Sequence, residues 1–305
     1  MKLIKPKAEL LPWSPGIEGV YKMIELAGRT CYRSEDKITE DSAKPFVDRM
    51  IASKHTAMLE HGTVYLIGKD ELSKSILIAH YSENKYSKLR VIPDNNRGIA
   101  NYVVTTNLRV LVENNLLDDL QYLCDPTEFH EMRYTFRLTT DRGVSHELVR
   151  HRKMSFAQES QRYCNYFKNK FGSGITFIKP DWFCALIDTF EPNKEMHRIL
   201  QKEEYSFCST LFEAEIVYKF LLKRGLSPQE ARAVLPNATK TEIVVTGFAS
   251  DFRHFFDLRF FEKTGKPHPD MKQLATLMKE EAEKQGIWED IMKQPSKFKT
   301  VPSTN

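Results

Sequence analysis

Apolar side chains recur every three to four positions along several stretches of the chain, and each such stretch predicts a helix with one buried face. Over 16–29 the repeat runs Ile17, Val20, Tyr21, Ile24, Ala27. Over about 42–53, Phe46, Val47, Met50 and Ile51 point inward, and Pro45 falls in the first turn, where a missing N–H is tolerated. Helices are also predicted near 70–80 and over about 108–124. The longest is predicted at about 194–223, where Met196, Leu200, Phe207, Leu211, Ala214, Tyr218 and Leu221 carry the repeat and Gly225 stops it. Ser227, Pro228 and Glu230 then match an N-cap, a first-turn proline and a capping-box acid. Two last helices are predicted at about 249–261 and 269–284.

Shorter runs with a period of two, or rich in β-branched residues, predict strands at 2–5, 63–67, near Tyr102, at 134–140 and at 240–247. PDNNRG at 93–98 reads as a turn. Asp141, Arg142 and Gly143 read as another, with a helix starting at Ser145 and packing through Leu148 and Val149. The tail after about 293 reads as frayed. Helices dominate and do not alternate regularly with strands, so the pattern predicts a helix-rich α/β fold rather than a repeated βαβ winding. No G-x-G-x-x-G follows a strand and no G-x-x-x-x-G-K-[ST] occurs, which removes the common dinucleotide and P-loop sites.

Composition narrows the class. The chain has 305 residues, 41% hydrophobic and 28% charged, which suits a packed core and excludes global disorder. Its formal net charge of +4 is too weak to imply nucleic-acid binding by itself and fits an enzyme of anionic small molecules equally well. The five cysteines, Cys31, Cys124, Cys164, Cys184 and Cys208, are odd in number and form no C-x-x-C. A disulfide framework or zinc site is therefore not expected, and a reducing cytoplasm is. No apolar stretch approaches the roughly eighteen residues of a membrane span, and the N-terminus lacks the apolar centre of a signal peptide.

The densest candidate chemistry is RHRKMSFAQESQRY at 150–163. Arg150, Arg152 and Arg162 supply forked, permanently charged donors suited to phosphate or carboxylate. Ser155 and Ser160 add small hydroxyls. His146 and His151 are five positions apart, about 140° on a helix, and so do not form one metal-ligating face. No G-x-S-x-G elbow surrounds Ser155 or Ser160, which favours anion binding over nucleophilic attack. Three readings stay open on chemistry alone. One is a pocket for an anionic ligand. Another is a basic aromatic nucleic-acid surface drawing on Arg142, Lys153, Phe156, Tyr163, Tyr166 and Phe167. The third is a solvated charged face with local pairs such as Glu147 with Arg150 or His151.

The motif itself goes further. Arg150, His151, Arg152, seven residues and then Ser160 resemble the R-H-R-x7-S signature of flavin-dependent thymidylate synthases, and the likeness continues through Arg162 and Tyr163. HTAMLEH at 55–61, YTFRLTTDRGVSHELV leading into the signature, EARAVLP at 230–236 and FRHFFDLR at 252–259 resemble other segments of that family in the same order. The resemblance covers about 17–67 and 133–285. It implies a single catalytic domain over 1–293, with 68–132 as an insertion extending the sheet or covering a subunit interface, and a tail over 294–305.

The resemblance implies the family's α/β fold, helix-rich around a central, mainly antiparallel sheet, in a homotetramer with shared sites. The implied reaction converts dUMP to dTMP. 5,10-Methylenetetrahydrofolate is the carbon donor, reduced FAD the hydride source and NADPH the reductant; neither a metal nor nucleic acid takes part. Glu147, Arg150, Gln158, Glu159, Ser160, Gln161, Arg162, Arg259 and, from a neighbouring chain, Arg232 are implied at dUMP. Arg150, His151, Arg152, Gln158 and His254 are implied at FAD. Arg259 matches the arginine that activates the uracil by stabilising negative charge on its N3 side. The chain departs from the family at several places. Ala157 and Gln158 stand where Asn-Glu is common, and Glu147 stands where a glutamine is common. Ala57, Phe248, Ser250 and His254 replace polar flavin contacts, and His268 aligns with a flavin-side histidine only after a short insertion.

Overall fold

The computed structural model describes residues 1–92, 101–167 and 174–298; the turn predicted at 93–98 lies outside them. In chain order, strands β1 (Lys2–Ile4) and β2 (Lys7–Leu10) precede helices α1 (Gly16–Tyr32) and α2 (Ala43–Ala52). β3 (Thr63–Gly68), α3 (Glu71–Tyr81), β4 (Lys88–Ile92), β5 (Asn101–Asn107) and α4 (Leu108–Glu113) follow. Next come β6 (Arg133–Asp141), α5 (Arg142–Leu148), β7 (Ser155–Gln158) and β8 (Thr176–Ile178). The chain continues through α6 (Lys194–Ile199), α7 (Lys202–Lys223), α8 (Pro228–Ala231) and β9 (Lys240–Phe248). α9 (Ala249–Arg259), α10 (Pro269–Lys284) and α11 (Trp288–Met292) complete it.

The central sheet has the order β2-β6-β9-β7 and is antiparallel throughout. Register pairs Phe136 with Val245 and Leu138 with Ile243. These four residues face α9 and α10, whose Phe252, Phe255, Phe256, Met271, Leu274 and Met278 are fully buried against them. Burying each such phenylalanine contributes about 1.5–3 kcal/mol. The opposite face of β9 and β7, through Val244 and Ala157, packs on Ala27 of α1 and Leu11. With both faces covered, β9 is buried almost along its length, so its sequence shows little alternation.

A second core lies between α1, α2, α3 and a three-stranded sheet of order β3-β5-β4. The segment 68–132 supplies β4 and β5, so it builds this separate sheet around β3 rather than adding strands to the central one. α1 approaches α2 closely: a Cβ added at Gly28 would lie 2.5 Å from the Phe46 ring. A third core joins the parallel pair β1–β8 to α7 and α8 through Leu3, Phe177, Phe190, Leu211 and Tyr218.

Three predicted elements differ. The helix predicted over 108–124 is broken after Glu113, and a 3-10 turn, Leu117–Tyr122, replaces its second half. Asn115 adopts φ 57°, a left-handed conformation that asparagine tolerates, and Leu116 N donates back to Leu111 O at 2.7 Å. The helix predicted over 194–223 is two, because Leu200 is extended and Gln201 starts α7 with a capping box to Glu204. Asp141, Arg142 and Gly143 open α5 instead of turning: the Asp141 carboxylate accepts from Val144 N at 2.8 Å, so the helix starts three residues before Ser145.

Candidate functional site

The signature segment leaves the end of α5, turns through 149–154, runs as β7 and turns again at Glu159. β7 is a strand absent from the sequence expectation. Its four residues span roughly 13 Å at about 3.3 Å each, and they hold the two halves of the signature apart.

On the first side, α5, the 149–154 turn and α9 converge. Arg259, the last residue of α9, donates from Nε to His151 Nε2 at 3.3 Å and from Nη1 to Glu147 Oε2 at 3.3 Å. Glu147 therefore pairs with this distant arginine, in place of the local pairs with Arg150 or His151. Both partners are partly open, with side chains 22% and 37% exposed, so the pair is screened and leaves room for a ligand. His151 packs on the Phe255 ring at 5.1 Å and lies edge-on to His254 at 6.3 Å. Burial, then the charges of Arg259, His254 and Lys297, push its pKa down to about 4. His254 is lowered as well, by burial and then by Lys297, and its Nδ1 is buried without a hydrogen bond. Phe298 stacks on the His254 ring at 5.7 Å, and Ser296 donates to Asp257 at 2.5 Å. The segment 294–298, expected to fray, is thus packed against α9. The flanking Arg150 and Arg152 are exposed and form no ion pair among the described residues.

On the second side, Glu159 is buried and held by three contacts. Its Oε2 accepts from Lys240 Nζ at 3.1 Å, its Oε1 lies 3.6 Å from Arg33, and Arg142 donates to its backbone carbonyl at 3.4 Å. A carboxylate in this position orders cations. Arg142 itself is half-buried with a lowered pKa: burial dominates, Tyr166 opposes it, and the charge of Arg232 adds to the lowering. Ser160 N donates to Cys31 O at 2.8 Å, and Ser160 Oγ accepts from Arg162 N at 3.2 Å. Gln161 is buried with an unpartnered Nε2, whereas Arg162 is exposed over the Tyr163 ring at 5.5 Å. Gln158 donates from Nε2 to Ser145 at 2.7 Å and to Thr241 at 3.3 Å, which locks β7 to α5 and β9.

The chain thus gathers Glu147, His151, His254 and Arg259 at one end of β7, and Glu159 to Arg162 with Arg232 at the other. No hydrogen bond or ion pair joins the two groups among the described residues. Sequence reasoning missed Arg33 and Lys240 altogether. Lys240 and Glu242 share one side of β9 by their i, i+2 spacing, but only the β7–β9 register brings Glu159 to them. A cleft of about 430 Å³ opens beside Glu147, lined also by Asp141, His146, Trp182, Phe207 and His268. His268 itself caps α10 by accepting from Asp270 N at 3.3 Å. At the remaining departures, Phe248 is buried under the Arg133 guanidinium at 5.3 Å, and Ser250 N donates to Glu131 at 3.2 Å. Among the described residues no group of His, Cys, Asp and Glu is placed to hold a metal, and no helix is long and apolar enough to cross a membrane.

Two solved structures resemble the chain along almost its full length. A UMP/dUMP methylase, PolB, of Streptomyces cacaoi bound with 5-Br dUMP is 18% identical with a TM-score of 0.44, covering 96% of this chain and 98% of its own. Thymidylate synthase X of Helicobacter pylori with FAD and dUMP is 16% identical with a TM-score of 0.40, covering 95% and 100%. In sequence, a flavin-dependent thymidylate synthase of Geobacter sulfurreducens is 32% identical over 148 residues, 48% of this chain and 56% of its own length. One from Pyrococcus abyssi is 31% identical over 161 residues, 52% and 58% respectively. A third, from Corynebacterium glutamicum, is 26% identical over 259 residues, 82% and 71%. The chain spans little more than half the length of the first two. The family model described as Thymidylate synthase complementing protein matches residues 112–285, a stretch holding both ends of β7, β9, α9 and Arg259. That match takes in more than half of the 305 residues, and the chain belongs to this family.

Proposed function

We propose that the protein is a flavin-dependent thymidylate synthase that reductively methylates dUMP to dTMP, with 5,10-methylenetetrahydrofolate as carbon donor, FAD as hydride carrier and NADPH as reductant. The observation that carries this reading is the convergence of Arg259 on the signature histidine, at 3.3 Å from His151 and 3.3 Å from Glu147, in a chain of this family. A fixed guanidinium beside a pyrimidine favours negative charge on the ring and so lowers the barrier to bond formation at C5.

The donor set suits two phosphate-bearing ligands. Arg150 and Arg152 are exposed and without ion pairs among the described residues, and His254 Nδ1 is an orphaned buried polar atom. Those three with His151, and Gln158 through its remaining amide oxygen, would hold FAD, which when bound supplies the hydride. Arg150, Ser160, Gln161, Arg162 and Arg232 would hold dUMP, with Glu147 and Arg259 at its base. Glu159 would act indirectly, by ordering Arg33, Arg142 and Lys240 around the phosphate. Because β7 separates the two groups, a complete site is expected to combine one end from each of two chains in a homotetramer. Exposed Ile216, Val217 and Phe220 on α7, and Leu72, Tyr86 and Val91 in 68–132, offer apolar surface for such contacts. In this reading 1–293 form one catalytic unit working in the cytoplasm, with 294–305 as its tail.

The test is direct. The purified protein is expected to be yellow and to release tritium from [5-³H]dUMP when given methylenetetrahydrofolate and NADPH. A colourless protein that stays inactive with added FAD would sink the reading. Tight dUMP binding by such a protein would make it a non-catalytic nucleotide-binding relative.

A further inference from the structure

Of the three signature residues Arg150, His151 and Arg152, only the middle one turns inward. Its imidazole is packed on Phe255, and its Nε2 takes the Nε–H of Arg259 at 3.3 Å. We propose that His151 is the positioning residue of Arg259: it accepts that N–H and so fixes the plane of the guanidinium, leaving the outer donors for the pyrimidine. This deepens the thymidylate synthase reading and rests on it for the role of Arg259.

The argument is one of geometry and charge. An arginine side chain is long and loses much rotamer freedom when held, and one acceptor leaves it free to swing about that contact. Two acceptors on different elements, His151 from the turn and Glu147 from α5, define a plane. Glu147 is anionic and its side chain is 37% exposed, so an incoming anionic base competes with it for Nη1. His151 is the permanent member of the pair because it is packed between α9 and the turn, and because it bonds Nε, on the stem side of the fork.

The contact requires a neutral imidazole protonated on Nδ1. The charged and titratable groups facing His151 are Arg259 and His254 on α9 and Lys297 of the C-terminal segment, and all of them disfavour a proton on it. Burial acts in the same direction. Hence Nε2 stays an acceptor across the neutral range. A histidine whose only task was to meet an anionic cofactor group would gain from the opposite arrangement, a carboxylate that keeps it protonated. No carboxylate touches His151 among the described residues.

The experiment compares two variants of the full-length protein. His151→Phe keeps a ring on Phe255 and removes the acceptor; His151→Gln keeps an acceptor of similar reach. The proposal expects His151→Phe, assayed at saturating FAD to offset any loss of its flavin contact, to lower kcat for tritium release by about 30-fold or more, with the KM for dUMP changed less than about threefold. It expects His151→Gln to recover activity to within about fivefold of the parent, and His151→Phe to add little further loss on top of Arg259→Ala. A rise in FAD Kd of more than about tenfold in both variants, with kcat at saturating FAD unchanged, would overturn it and make His151 a flavin contact only. Crystal structures of the flavin-free parent and both variants give a readout independent of turnover. Arg259 should stay ordered in the parent and in His151→Gln and shift in His151→Phe; an unmoved Arg259 in His151→Phe overturns the proposal. If the parent releases no tritium, the thymidylate synthase reading fails, while the crystallographic comparison still decides the positioning of Arg259.

Discussion

Arg259 is held by one neutral and one anionic acceptor, and the two have opposite consequences for a ligand. His151 orients the guanidinium without cancelling its charge, whereas Glu147, at 3.3 Å, cancels part of it. A half-exposed pair of this kind contributes about 0.5–1 kcal/mol. Glu147→Gln is therefore expected to tighten dUMP binding by about two- to fivefold and to steepen its salt dependence, measured by calorimetric titration at two ionic strengths. Weaker binding in that variant would mean that the carboxylate itself contacts the substrate. Arg259→Ala is expected to depress kcat by about 100-fold or more while raising the Kd for dUMP by less than about tenfold. Equal losses in turnover and binding would contradict an activating role. Glu159 answers to a different force. It is buried against Lys240 at 3.1 Å and lies 3.6 Å from Arg33, while Lys240 keeps Glu242 at 2.6 Å, so Glu159→Ala should cost about 1.5–3 kcal/mol of stability by denaturant unfolding before any effect on ligand is counted. The sequence announces Arg259, because FRHFFDLR is a recognisable run. It is silent on Lys240 and Arg33, whose meeting with Glu159 depends on strand register and on the left-handed end of α1, where Arg33 has φ 46°.

The elements were legible where one face is buried and the chain carries its own stop signal. α1, α2, α9 and α10 lie within a few residues of the positions read from their apolar repeats, and Gly225, at φ 94°, does end α7. β7 was not legible: SFAQ is short, and its pairing with β9 depends on partners far along the chain. The long helix predicted over 194–223 failed for a comparable reason. Its apolar positions resume at Phe207 in phase with Leu200, so the repeat alone does not mark the break, which a distant loop decides. Glu204 accepts from Gln201 N at 3.1 Å and also from Cys184 N at 2.9 Å and Ala185 N at 2.8 Å. One buried carboxylate thus starts α7 and anchors the loop before α6. Glu204→Ala would strand three backbone donors and is expected to lower stability by about 2–4 kcal/mol, read from the shift in urea midpoint at constant slope. A change below about 0.5 kcal/mol would show that water replaces the carboxylate and that the break at Leu200 has another cause.

At the scale of the whole molecule, four buried or half-buried imidazoles set a common response to acid. His61, fully buried beneath the central sheet, shares a hydrogen bond with Thr246 through Nδ1 at 2.8 Å, and burial followed by the charge of Arg133 pushes it down to about 3. His151 is pushed down to about 4, and His130 and His254 are lowered too, burial being the largest cause in each. All four shifts have one sign. Below an unfolded value near 6.5 the unfolded chain takes up protons that the folded chain refuses. The stability these residues contribute is therefore complete above about pH 6.5 and is lost as pH falls toward the folded values. Most carboxylates titrate lower, so between about pH 6.5 and 5 the histidines should dominate the slope. By pH 5 each strongly shifted histidine should cost on the order of 1–2 kcal/mol, and the melting temperature should fall steadily across that window. His61→Gln keeps a hydrogen-bonding partner for Thr246 and removes the titration. It is expected to flatten the fall in melting temperature between pH 6.5 and 5 while leaving the high-pH value within a few degrees, of the order that about 1 kcal/mol produces. An unchanged slope would mean that His61 accepts a proton in the folded state, which would require the unpartnered Nε2 to find an acceptor in the cavity of about 160 Å³ that it shares with Arg133.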